Sequence, residues 1–88
     1  MATDATFRFN GLEVVRLKYD ADYGLKAGDC GVVWGVYKGD PPSYEATFIN
    51  QTGTRADLMF KQEEVDELVD VSEAPFPDRL EDIRRILN

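Results

Sequence analysis

Seventeen carboxylates and not one histidine frame the chemistry open to this chain of 88 residues. Carboxylates do acid–base work when a pocket pushes one of their pKa values out of range. Asp20 and Asp22 share a loop, and Asp57 lies in a later apolar run. A small domain filled by its own side chains offers little pocket for such a shift, and no EF-hand spacing groups the carboxylates for Ca²⁺. Without histidine, the Ser-His and Cys-His nucleophile arrangements are closed. Cys30 is the one cysteine, so it makes no internal disulfide, and a structural zinc site needs several such ligands. It follows Asp29, whose charge disfavours the thiolate, so Cys30 is expected as a small core hydrophobe. Gly28-x-x-Gly31 leads into a strand, not a helix, and is not a phosphate-binding loop. The expectation is a non-enzymatic protein with no cofactor and no metal.

The charge is uneven. Residues 1–44 carry five Lys/Arg and six Asp/Glu, and residues 45–88 carry five and eleven. Glu63, Glu64, Asp66, Glu67, Asp70 and Glu73 follow one another with no basic residue between them. Such a surface repels phosphate backbones and attracts a basic protein. The leading expectation is therefore a protein-interaction module for a basic partner, one form being an immunity or antitoxin-type protein. The alternatives are a nucleic-acid or ribosome-associated domain using Arg16, Lys18, Lys26 and Lys38, and a structural unit that pairs with itself as a homodimer. No run of about 18 apolar residues predicts a membrane span. The opening MATDATFRFNGLE has neither a basic start nor an apolar stretch. With the lone cysteine, this points to the cytoplasm.

Short elements must position these residues. EVVRLKY (13–19), CGVVWGVY (30–37), YEATFIN (44–50), RADLMFK (55–61) and DELVDV (66–71) predict five strands, from alternation or β-branched content. Between them lie ADYGLKAGD, the Gly-Pro turn KGDPPS, QTGT with Gly53 free to take positive φ, and a 3₁₀ turn at QEEV. Asp78 and Glu81 are spaced as a capping box. Leu80, Ile83, Ile86 and Leu87 then form one apolar stripe of a helix, marginal alone, which must dock. It either plugs an open barrel end or packs on a partner. Residues 1–12 read as an extension or edge strand, 13–71 as the barrel, and 72–88 as a linker and helix.

The spacing Gly28-x-x-Gly31-x-Val33-x-x-Val36 resembles the KOW-type signature of SH3-like barrels. The longer run VRLKYDADYGLKAGDCGVVWGVYKGDPPSYEATFIN resembles the small bacterial domain family of unknown function called DUF4926. Matching residues include Val15, Leu17, Gly24, Leu25, Gly28, Asp29, Gly31, Val33, Val36, Tyr37, Tyr44, Glu45 and Phe48. The resemblance implies a mainly β, five-stranded SH3-like barrel with Val33 and Val36 in its core, and is silent on mechanism. LKYDADYGLKAGD also resembles the first loop of proline-peptide-binding SH3 domains. Tyr44-Glu45 replaces their tryptophan pair, however, so the groove is not implied.

Strand alternation turns Trp34 away from Val33 and toward the surface, with a bulge at Gly35 returning Val36 to the core. Trp34, Tyr23, Tyr37 and Tyr44, together with Glu63, Glu64 and Glu67, are the candidate partner contacts. Either the C-terminal helix or a partner is expected to cover the Trp34 ring.

Overall fold

Alternating apolar residues become one antiparallel sheet. The structure, a computed structural model, describes Phe9, residues 11–71 and residues 77–87. The strands are β1 (Val14–Leu17), β2 (Cys30–Tyr37), β3 (Ser43–Ile49), β4 (Arg55–Lys61) and β5 (Val69–Val71), in the order β4-β3-β2-β1-β5. β4 and β5 stand at the two edges, and among the described residues no pairing joins them. Residues 1–8 and 10 of the extension expected over residues 1–12, and the linker at 72–76, lie outside the described residues.

Period-two alternation sorts the side chains to two faces. The inner face packs Val15, Leu17, Val33, Tyr44, Ala46, Phe48, Phe60 and Val69, with Phe9, Leu25 and Val65 completing the cluster. Phe9 stands edge-on to Tyr44 with ring centroids 4.9 Å apart, so the core draws on the chain before residue 13. A second cluster on the outer face joins Val14, Cys30 and Val32 to Ile83 and Ile86. β2 is thus apolar on both faces at its start, which is why its sequence reads as a run and not as an alternation.

The β2–β3 register shifts between Val33 and Gly35, leaving Trp34 as the extra residue. The bulge is one position earlier than expected, with the expected consequence: Val33 and Val36 both face inward. The 50–54 connection is held by Asn50, whose Oδ1 accepts from the N–H groups of Thr52 and Thr54, while Gly53 takes φ 88°.

Two elements differ from expectation. DELVDV is a strand only from Val69; before it run a 3₁₀ turn (Gln62–Glu64) and a helical turn, α1 (Val65–Leu68). Helical spacing places Val65 and Leu68 together on the core, and Glu64 Oε1 accepts from Lys61 N–H at 2.9 Å. The C-terminal helix, α2 (Leu80–Leu87), follows a 3₁₀ turn (Pro77–Arg79) and plugs no end. It lies on the outer face of β2 and β3. Its inward stripe is Arg79, Asp82, Ile83 and Ile86, spaced i, i+3, i+4, i+7, whereas Leu80 and Leu87 are exposed. Asp78 sits within the 3₁₀ turn, and its carboxylate accepts from Arg16 at 2.6 Å.

Candidate functional site

The outer face beyond α2 carries the candidate site. Trp34, lifted by the bulge, is 49% exposed. α2 takes Cys30 and Val32 as its landing place, so the helix leaves half of the indole open. The indole is held by polar contacts instead: its Nε1–H donates to Thr47 Oγ1 at 2.8 Å, and that hydroxyl donates to Asp57 Oδ1 at 2.6 Å. Three adjacent strands therefore contribute one hydrogen-bonded row. Each such bond contributes about 1 kcal/mol net, and together they fix the ring's orientation.

A second row lies beside it. Tyr37 O–H donates to Glu45 Oε1 at 2.8 Å. A Cβ on Gly35 would stand 2.9 Å from the Tyr37 hydroxyl and 3.0 Å from its ring. The missing side chain at Gly35 is what lets the Tyr37 ring fold back along the strand. Glu45 pairs with Met59 across the sheet, and Met59 is 55% exposed. Trp34, Tyr37 and Met59 thus form an exposed apolar set threaded by the Glu45 and Asp57 carboxylates.

The other expected contacts divide. Tyr44 is fully buried, edge-on to Phe9, with its hydroxyl donating to Gln62 Oε1. It belongs to the core, because β3 alternation points it inward with Ala46 and Phe48. Tyr23 is exposed but lies at the opposite end of the sheet, at φ 63°, with its carbonyl accepting from Asn50. It lines a shallow cleft of about 360 Å³ with Thr54, Arg55, Ala56 and Asp57. Glu63 and Glu67 are exposed. Glu64 is half-buried, with one oxygen on Lys61 N–H. Tyr37 pairs with Ser43 and Ser43 with Lys61, so the acidic turn begins at the end of the sheet where the Tyr37 row stands.

Sequence reasoning missed Thr47 and Met59 as site residues and weighed Asp57 only as an acid–base carboxylate. Their signal was present: Thr47 alternates outward on β3, and the tight 50–54 turn sets Asp57 opposite it. Three of the four residues proposed for a basic face lie beside carboxylates. Arg16 pairs with Asp78, Lys18 lies 3.5 Å from Asp70, and Lys26 lies 3.9 Å from Asp20.

Cys30 is buried beneath α2, and burial is the main cause that pushes its thiol pKa up, against the opposing pull of Arg16 and Arg79. Asp29 is not the cause: its carboxylate accepts from Arg79 and from Lys26 N–H. The bond to Glu45 pushes the Tyr37 phenol up as well. Both groups hold their protons more tightly when folded. Their contribution to stability is complete below the ordinary values of 9.0 and 10.0 and is lost as pH rises through the higher folded values. Urea midpoints should accordingly fall above pH 9.0, and Cys30→Val should flatten the early part of that fall. An unchanged slope in Cys30→Val would remove the thiol from this account.

Among the described residues no helix is long and apolar enough to cross a membrane, and no three His, Cys, Asp or Glu side chains converge as a metal-ligand set. Compared with protein-family models, curated proteins and solved structures, the chain matches none.

Proposed function

We propose that this chain is a non-catalytic protein-interaction domain of the SH3-like barrel type, whose outer β2–β3–β4 face receives a basic segment of a partner protein. The strand order β4-β3-β2-β1-β5, with a 3₁₀ turn ahead of β5, supports the barrel reading. One observation carries the functional reading: the half-exposed Trp34 is fixed in place by the Thr47–Asp57 row. A rigid aromatic at a surface loses little entropy on binding and is a typical hot spot. The carboxylates of Glu45 and Asp57 on either side suit a Lys or Arg head, which an indole face also attracts. The exposed Glu63 and Glu67 raise the encounter rate of such a partner. Pairing of Arg16, Lys18 and Lys26 with carboxylates weighs against a phosphate-binding face.

The test is calorimetric titration with a synthetic peptide of alternating Arg and Gly, beside its Glu-Gly counterpart and a short DNA duplex. The Arg peptide should bind saturably and more weakly as salt rises. Trp34→Ala should weaken it by roughly thirtyfold, the cost of losing a hot-spot side chain. Glu63→Lys with Glu67→Lys should act mainly on the association rate. Binding that ignores Trp34→Ala, or DNA binding with the Arg peptide inert, would sink the proposal.

A further inference from the structure

The sheet ends on β4, and the chemistry of that edge is unusual for one left open. Asn50 N–H donates to Thr54 C=O and Gln62 N–H to Pro42 C=O. These bonds fix the alternation along the strand: even-numbered residues turn their backbone groups to β3. Arg55, Asp57, Met59 and Lys61 therefore direct N–H and C=O to the outer edge. Among the described residues β3 is the only strand beside β4. Monomeric proteins guard such an edge with proline, a bulge, a very short strand or charged side chains. Of these β4 has only the charges, Arg55, Asp57 and Lys61, and because both signs are present they can pair with those of a second copy.

We propose that β4 pairs antiparallel with β4 of a second copy, about a two-fold axis at Met59. The charges select this register. An axis at Leu58 would set Arg55 opposite Lys61 twice, and an axis at Asp57 would set that carboxylate opposite itself. With the axis at Met59, Asp57 stands opposite Lys61 twice, and Arg55 comes level with Glu63 of the second copy. Asp57 and Met59 turn both backbone groups outward, while the Lys61 N–H is already held by Glu64 Oε1 and only its C=O is open. The Met59 pair therefore exchanges two bonds and each Asp57–Lys61 pair one, from Asp57 N–H to Lys61 C=O. On the inner face Leu58, only partly buried in one copy, meets Phe60 of the other. The dimer carries two Trp34 faces side by side with both Met59 side chains between them. This goes beyond the proposed function and stands or falls separately from it.

Sedimentation velocity and directed crosslinking test it. The wild type should show a concentration-dependent dimer. Lys61→Asp should weaken that dimer roughly tenfold, since two attractive cross-strand pairs become repulsive. Combining it with Asp57→Lys should restore it. Met59→Cys, at an exposed position, should form a disulfide-linked dimer under mild oxidation, the Cα spacing of a hydrogen-bonded pair being within disulfide reach. Asp57→Cys should crosslink only when mixed with Lys61→Cys. A monomer at every concentration, a dimer indifferent to Lys61→Asp, or crosslinking through Val71→Cys on β5 in place of Met59→Cys would overturn the proposal.

Discussion

Replacing Gly31 by alanine should destabilise this protein by about 2–3 kcal/mol, the upper range for overpacking a core. For a domain of this size that lowers the thermal midpoint by roughly 10–20 °C. The cause is local. A Cβ at Gly31 would stand 2.5 Å from Phe48 Cδ2 and 2.7 Å from Cγ and Cε2 of the same ring. Phe48 is fully buried and meets Phe60 edge-on, with centroids 6.0 Å apart, so its ring has nowhere to go. Gly35→Ala is the control. There the first atom met is the Tyr37 hydroxyl at 2.9 Å, the far end of an exposed side chain that can swing outward. That variant should lose less than about 1 kcal/mol while disturbing the Tyr37–Glu45 contact. Because the Gly31 effect is a clash with one ring, Gly31→Ala with Phe48→Leu should cost less than the two single changes summed. Thermal denaturation of the four proteins measures this. A Gly31→Ala midpoint within about 2 °C of the wild type, equivalent to a few tenths of a kcal/mol, would reject the clash.

The two glycines also mark how much of the fold was legible in the sequence. Gly35 in an otherwise β-branched strand predicts a bulge, and the bulge is there, one position earlier. The larger use of the two glycines is space for two rings, Phe48 inside and Tyr37 outside. That use depends on which residue the facing strand brings opposite, which no local pattern in 28–39 states. Strand existence, inward Val33 and outward Trp34 follow from period-two alternation, and inward Val36 follows once a bulge is added beside Gly35. The partner of Trp34 was half readable: Thr47 was placed outside by alternation, but its bond to the indole needs the β2–β3 register. Tyr44 faces the core by the same alternation that buries Ala46 and Phe48, and its aromatic type carries no information on its face. The helix was displaced by about one residue around its axis because Arg79 and Asp82 count as polar in any stripe. Their place against the sheet is set by Asp29, fifty residues before Arg79 in sequence.

That contact yields the second large effect. Asp29 is 1% exposed, and its carboxylate accepts from Arg79 Nη2 at 2.7 Å and from Lys26 N–H at 2.8 Å. Arg79 Nε lies 3.1 Å from Asp82 on the next turn. Arg79→Met strands a buried carboxylate, at a cost of about 2–4 kcal/mol with allowance for the partial exposure of Arg79. The protein can meet that cost in two ways. It can bear the charge with α2 in place, or release α2 and let water reach Asp29. Release gives up the packing of Ile83 against Val32 and Cys30, roughly 1.5–3 kcal/mol for a buried isoleucine. The two costs are comparable, so the undocked form should become populated. Cys30 reports it, since the thiol is buried under α2 and reacts only when the helix leaves. A local gain of about 2 kcal/mol for the open form is roughly a thirtyfold faster labelling by a thiol reagent. Arg85→Met removes a pair with Asp82, 3.8 Å away, made by a side chain that is 60% exposed. It should change labelling little. Asp29→Asn in the Arg79→Met background removes the stranded charge and should recover much of the protection. Labelling that rises only as far as the fall in global stability predicts would mean that α2 opens with the whole domain and is not held locally by Arg79.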